Sequence, residues 1–120
     1  MRTPNTGIKV FLRILAVIYF VGAVLHGMDL FDLRLKFSEM DLTWQTWILY
    51  LFAFDLVASI GLWKQKAWGV ALFLLISISQ LIAYVGFASK FGNQLPLVIF
   101  HFLTIAIFLA LSLTQKKIEA

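Results

Sequence analysis

Four long apolar runs, separated by short polar segments, constrain this chain more than any other feature. Each run comes close to the about 20 apolar residues that a helix needs to cross the hydrocarbon of a bilayer. Of the 120 residues, 62% are hydrophobic and 13% charged, against about 45–50% and about 25% in soluble domains. We therefore predict an all-α, four-helix transmembrane bundle whose helices alternate in direction. The predicted spans are residues 8–28, 46–63, 67–87 and 95–113.

The composition restricts the chain to a single transmembrane domain, residues 1–120. Four crossings with short connections use its whole length, which leaves no mass for a separate soluble catalytic domain. The sequence contains no cysteine, and this excludes disulfides, thiolate metal ligands and iron–sulfur clusters within the chain. The net charge of +4 is spread over helix ends and does not form the basic face of a nucleic-acid-binding protein. We expect the lipid bilayer as a partner, and no nucleic acid.

The basic residues favour one orientation in the membrane. Cytoplasmic loops of membrane proteins carry an excess of lysine and arginine. Under a four-crossing topology most of the basic residues fall on one side, whereas the first connection carries four acids and two bases. We predict a bacterial inner-membrane protein with both termini in the cytoplasm. The residues on that side are Arg2, Lys9, Arg13, Lys64, Lys66, Lys116 and Lys117.

The longest connection, residues 29–45, mixes charged and apolar residues. Leu30, Leu33 and Phe37 recur at helical spacing, although Leu33, Leu35 and Phe37 also alternate as in a strand. We expect an amphipathic helical extension that lies on the extracytoplasmic surface of the membrane.

Tryptophans mark the predicted membrane interfaces. Indole rings concentrate where the hydrocarbon meets the headgroups. The chain has four of them, at the ends of the second span and the start of the third. The predicted interface anchors are Trp44, Trp47, Trp63 and Trp68.

Each predicted span also carries polar side chains at helical spacing. In the first span Tyr19, Gly22, His26 and Asp29 share one face. Orphaned polar groups in lipid cost several kcal/mol each, so these faces should meet inside the bundle. The candidate functional cluster comprises His26, Asp29, Asp55, Ser59, Gln80, Tyr84, His101 and Thr104.

Asp55 is the residue of that cluster that most strongly indicates a function. It lies about nine residues into the second predicted span, which places it near the middle of the bilayer. A carboxylate there costs about 2.5–3.5 kcal/mol on insertion scales and usually marks a function. The other interpretation is structural, with Asp55 hydrogen-bonded to a polar residue of a neighbouring helix.

The two histidines fall in the same outer half of the predicted bundle. His26 and His101 could serve as axial ligands of a haem b, or form a metal site together with Asp29. No nucleophile motif such as GxSxG surrounds Ser59 or Ser77, which argues against a hydrolase. We expect no enzymatic activity from the chain on its own.

Two stretches resemble the DoxX-like family of small four-helix membrane proteins. The stretch LRILAVIYFVGAVLHGMDLF is similar to the first span of that family, with Asp29 in place of the usual lysine. The stretch FAFDLVASIGLW is similar to its second, with Asp55 where glutamate is common. The resemblance implies a membrane subunit or partner associated with quinone-linked oxidoreductases or oxidative-stress complexes. The matching dipeptides are Leu12-Arg13, His26-Gly27, Leu30-Phe31 and Gly61-Leu62.

These observations leave three functional hypotheses. The first is an accessory inner-membrane subunit whose outer polar cluster binds a partner helix, a lipid or a quinone, within a complex or a homo-oligomer. The second is a proton-coupled carrier or channel in which Asp55 titrates and the two histidines relay protons. The third is a haem b electron carrier ligated by His26 and His101.

Overall fold

A computed structural model describes residues 6–92 and 94–119, with side chains as far as residue 114. All regular structure in these ranges is helical, which confirms the predicted all-α class. Four segments are long and apolar enough to cross a membrane, as the four apolar runs predicted. The helices are α1 (Thr6–Leu30), α2 (Leu42–Trp63), α3 (Ala67–Leu81), a short α4 (Ala88–Phe91) and α5 (Leu95–Glu119).

The helices extend beyond the apolar runs at both ends of the chain. Helix α1 begins at Thr6, and α5 continues to Glu119, because the polar residues after Leu113 are mostly good helix formers that need no lipid around them. Three basic residues used to predict orientation lie outside the described side chains, namely Arg2, Lys116 and Lys117.

The connection after α1 differs from the amphipathic helix predicted for residues 29–45. Helix α1 ends at Leu30, turns follow, and one 3₁₀ turn spans Phe37–Glu39. The break is at Asp32, whose φ of 57° lies in the left-handed region. Its carboxylate accepts hydrogen bonds from the Ser38 hydroxyl (2.6 Å) and the Ser38 N–H (3.0 Å). Local side-chain bonds of this kind compete with helix formation, and sequence periodicity does not reveal them.

Both ends of this connection are fixed by carboxylates. The two bonds from Ser38 hold the pKa of Asp32 below its ordinary value. Asp41 caps α2 by accepting the Trp44 N–H (2.9 Å), and its other oxygen accepts from the Lys90 ammonium (2.7 Å). The Lys90 bond, followed by the Trp44 N–H, lowers the pKa of Asp41. Both carboxylates are therefore ionised at neutral pH, and the Asp41–Lys90 pair ties the start of α2 to α4.

Helices α1 and α2 pack along each other in opposite directions. Near the start of α1, Arg13 Nε donates to the Trp63 carbonyl at the end of α2 (2.8 Å). Towards the other end, Gly27 of α1 faces the Phe52 ring. The backbone atoms of Gly22 approach Asp55 between these points, because glycine has no side chain to keep the two helices apart.

Helices α2 and α3 approach each other most closely next to the turn that joins them. A Cβ built on Gly61 would lie 2.6 Å from the Gly69 Cα, and one built on Gly69 would collide with the backbone of Gly61 and Leu62. Farther along, the Tyr50 and Ser79 hydroxyls are hydrogen-bonded (2.7 Å). Two glycines therefore set the distance between these helices.

The apolar core lies in the half of the molecule that contains the α2–α3 turn. Its centre is the fully buried Phe73 ring of α3, which meets Phe11, Tyr19 and Phe108 edge to face at centroid distances of 6.5, 6.0 and 6.0 Å. These contacts join α3 to α1 and α5. Other core residues with little or no exposure are Leu12, Leu15, Ala58, Leu62 and Ile76.

The four tryptophans lie near opposite ends of α2. Trp63 and Trp68 flank the α2–α3 turn and are about half exposed, at 51% and 46%. Trp44 and Trp47 are half-buried at the other end and pack against the Phe91 ring, with centroids 5.3 and 5.1 Å away. The latter two therefore contribute to packing within the protein.

Replacing Gly69 with alanine is expected to destabilise the protein by about 1–3 kcal/mol, the usual cost of overpacking a tight contact. The new methyl group must push α2 and α3 apart. Thermal unfolding in mild detergent, followed by circular dichroism, measures the effect. Gly86→Ala is the matched control, since no atom lies within 4 Å of its added Cβ. Equal melting temperatures for the two variants would contradict the close approach.

Candidate functional site

A partly open cavity of about 210 Å³ lies between α1, α2, α3 and α5, near the end that carries the 31–41 connection. Five residues of the predicted polar cluster line it, although they come from four separate parts of the chain. They are His26, Asp55, Gln80, Tyr84 and His101. The cavity wall also includes Tyr19, Gly22 and Arg34.

Asp55 occupies the space that Gly22 leaves on the facing helix. The Asp55 residue is only 3% exposed, and a Cβ on Gly22 would lie 2.9 Å from its Oδ2. Oδ2 is also 3.8 Å from His26 Nε2, while Oδ1 has no hydrogen-bond partner within the described part of the chain. The apolar sequence around Asp55 forms the helix, and the missing side chain at Gly22 makes room for the carboxylate.

The His26 imidazole lies between two carboxylates. Its Nε2 faces Asp55, and its Nδ1 is 3.6 Å from Asp29 Oδ2. The spacing of three residues between His26 and Asp29 places both on one face of α1. Both separations slightly exceed hydrogen-bond length, so a small movement of the ring towards either carboxylate would complete a bond.

Asp29 does not line the cavity but fixes the connection beside it. It is fully buried and accepts hydrogen bonds from Arg34 Nη2 (2.7 Å) and the Leu35 N–H (3.1 Å). A buried carboxylate needs such partners. The Arg34 side chain is 39% exposed and also lines the cavity. Arg34 therefore lies at the border between the cavity and the surface.

His101 brings a second imidazole to the cavity from α5. The residue is 2% exposed, and neither ring nitrogen has a hydrogen-bond partner among the residues that the structure describes. An unsatisfied buried polar group costs about 1–3 kcal/mol. The cavity therefore favours an occupant that can hydrogen-bond, such as water, to His101 and the free oxygen of Asp55.

The third helix widens where it reaches the cavity. After α3 the chain forms a π-helical segment, Ile82–Gly86, a feature that is frequent at functional sites. Tyr84 in this segment accepts a hydrogen bond from Trp47 Nε1 (3.1 Å). Gln80 precedes it by one turn and is 5% exposed.

The two remaining residues of the predicted cluster do not reach the cavity. Ser59 donates to the Leu56 carbonyl (2.7 Å) and Thr104 to the His101 carbonyl (3.2 Å). Both hydroxyls are thus satisfied within their own helices, which is common for serine and threonine in apolar helices.

Arg34 is the cavity residue that sequence reasoning missed. It lies in a connection predicted to be an amphipathic surface helix, where an arginine would point to water. The available signal was the predicted inward position of Asp29, on one face with Tyr19 and His26, since a buried carboxylate requires a cation nearby.

The geometry does not fit a haem or a metal held by the two histidines. The cavity volume of about 210 Å³ falls below the about 300–1,000 Å³ typical of pockets for drug-sized ligands, and a haem is larger still. His26 Nε2 faces the Asp55 carboxylate. No group of three or more histidine or acidic residues is arranged to hold a metal ion within residues 6–92 and 94–119. Within this part of the chain, His26, Asp29 and His101 are therefore not brought together as a three-ligand set.

Comparison with known proteins places the chain in a family without giving it an activity. No curated protein and no solved structure matches it. Residues 6–118 match the profile of DUF6163, a family of unknown function, over nearly the whole chain. The chain therefore belongs to the DUF6163 family.

Proposed function

We propose that this protein is an integral inner-membrane four-helix bundle, with alternating helix directions and both termini in the cytoplasm, whose cavity binds protons from the extracytoplasmic side. Four apolar helices of spanning length support membrane insertion. The position of the His26 ring between Asp55 and Asp29 carries the functional part of the proposal.

A row of polar groups leads from the 31–41 connection into the protein. Arg34 and Asp29 are 2.7 Å apart, Asp29 and His26 are 3.6 Å apart, and His26 and Asp55 are 3.8 Å apart. Imidazole can accept a proton on one ring nitrogen and release one from the other. In this row His26 is the relay and Asp55 the proton-binding group, while the ion pair with Arg34 holds the Asp29 side chain in place as an anchor.

The opposite half of the bundle is mostly apolar and closely packed. The hydroxyls of Ser59 and Ser77 are buried there, but the first bonds to its own helix and the second to the Tyr19 hydroxyl (3.1 Å). Between Asp55 and the α2–α3 turn, the interior is filled by residues such as Leu12, Leu62 and Phe73, which have no measurable exposure. A proton needs polar groups or water to move. The geometry therefore favours a proton-binding site open to one side over a continuous channel, and a subunit that couples protonation to a partner or to helix movement.

Asp55→Asn is expected to remove one pH-dependent carboxyl band from the infrared spectrum of the protein in proteoliposomes, because it eliminates the proposed proton-binding group. His26→Gln should slow the appearance of that band after a pH jump applied from outside. Asp32→Asn is the matched control, since its carboxylate lies in the exposed connection. If the Asp55→Asn protein kept every pH-dependent carboxyl band of the wild-type protein, Asp55 would not be the proton-binding group.

The same proteoliposomes distinguish a one-sided site from a channel. The wild-type protein should leak protons no faster than empty liposomes, because the apolar half blocks the path. A sustained leak that disappears in Asp55→Asn would show a continuous channel instead.

The exposure of α5 supports an accessory role beside another membrane subunit or a second copy of the chain. Only 11% of the residues in its apolar window are buried, against 33–44% in the other three helices. This face presents several large side chains, among them Phe102 (59% exposed) and Leu103 (56%). The quinone-linked partner implied by the DoxX-like resemblance stays a prediction, because the function of the matching family is unknown.

A subunit in contact with α5 should cross-link to a photoreactive residue placed at Phe102, in the native membrane. A matched probe at Val57, which is 45% exposed on α2, should give much less cross-linked protein. Mass spectrometry of the product separates a second copy from a different subunit. Labelling of lipid alone at both positions would contradict this accessory role.

A further inference from the structure

A basic groove lies at the end of the bundle opposite the cavity entrance. It has a volume of about 680 Å³ and runs along the outer face of α1 beside the end of α2. Lys9 and Arg13 stand one helical turn apart on it, and its floor is formed by apolar side chains such as Ile14 and Val17. The groove thus combines positive charge with apolar surface.

Arg13 is held in place by the end of α2. Its Nε donates to the Trp63 carbonyl (2.8 Å), and its guanidinium carbon lies 4.5 Å above the centre of the Trp63 ring. Arginine carries five N–H donors in a planar fork that matches phosphate oxygens. Among the described residues only the Nε donor is used, so a fixed fork with unused donors faces the groove.

The basic side chains of this groove are not neutralised within the described part of the chain. The ion pairs found there involve Asp29, Asp41 and Asp55, and none includes Lys9 or Arg13. An anion with a phosphate group would complement their charge.

A second groove continues the first along the same side of the bundle. Its volume is about 310 Å³, its surface is apolar, and it shares Val17 and Trp63 with the basic groove. It continues to Phe20 on α1 and Ile60 on α2. From Arg13 to Phe20 the helix rises by about 10 Å, so the two grooves together offer room for a headgroup followed by part of an acyl chain.

We propose that these joined grooves bind one anionic phospholipid, with its phosphate on Arg13 and Lys9 and an acyl chain against Val17 and Phe20. The inference rests on the membrane placement proposed above, with this end in the cytoplasmic leaflet, and does not depend on proton binding at Asp55. Basic pockets at that side of membrane proteins commonly hold anionic headgroups.

The test is competition for the full-length protein between phosphatidylglycerol and phosphatidylcholine in mixed nanodiscs, with retained lipid counted by native mass spectrometry. The wild-type protein should retain phosphatidylglycerol preferentially. Lys9→Gln and Arg13→Gln should each weaken this preference about fivefold, the effect of about 1 kcal/mol per basic residue. Arg13→Lys should retain more of the preference than Arg13→Gln, which separates charge from packing.

Two matched variants test the location of the lipid. Lys66→Gln removes the same charge from the same end but lies outside both grooves, so it should leave the preference unchanged. Val17→Trp fills the junction of the grooves and should weaken binding of long-chain but not of dihexanoyl phosphatidylglycerol. If Lys9→Gln and Lys66→Gln reduced the preference for phosphatidylglycerol equally, the proposal would be overturned. Complete displacement of the lipid by inorganic phosphate would overturn it as well.

Membrane placement is checked separately by alkaline carbonate extraction of membranes that contain the protein. Retention in the membrane without preference for phosphatidylglycerol would refute the lipid site alone. Release into the supernatant would refute the membrane placement and the lipid site together.

Discussion

The burial of the Asp55 carboxylate in an otherwise apolar helix is the constraint on which the rest of this structure depends. A charge or an unpaired acid in such surroundings is costly, and the neighbouring helices are arranged around it. Gly22 gives it space, His26 faces it from α1, and His101 lines the same cavity from α5. The polar side chains of four segments thus share one cavity, and the remaining helix surfaces are free to be apolar.

The described part of the protein consequently has two halves with different chemistry. One half contains the polar cavity and the connection fixed by the Asp29–Arg34 pair. The other contains the aromatic core around Phe73 and the close contact of Gly61 with Gly69. Tight packing in the second half keeps the helices in register, while under the proposed function the first half exchanges protons with its surroundings. On that proposal, the protein would respond to pH on one side of the membrane without conducting protons to the other.

Hydrophobic patterning was sufficient to predict the helices, because a run of about 20 apolar residues has few alternatives in lipid. It also brought His26, Asp55, Gln80, Tyr84 and His101 together, since polar faces of apolar helices turn inward. It failed for the 31–41 connection, which was predicted to be an amphipathic helix. There the carboxylate of Asp32 accepts hydrogen bonds from Ser38, and these local bonds replace helix formation. It also did not reveal that the hydroxyls of Ser59 and Thr104 bond to carbonyls of their own helices, away from the cavity. Such choices depend on individual atoms and leave no periodic signal.

The central claim is that the cavity is reached by water from the extracytoplasmic side. Because the chain has no cysteine, single cysteines at His101 and at its neighbour Phe102 can be labelled in oriented membrane vesicles with a small, charged, membrane-impermeant thiol reagent. The account predicts that His101→Cys reacts from the extracytoplasmic side alone, while Phe102→Cys, on the exposed apolar face of α5, is unreactive from either side. Reaction of Phe102→Cys with His101→Cys inert, or labelling of His101→Cys from the cytoplasmic side, would contradict it.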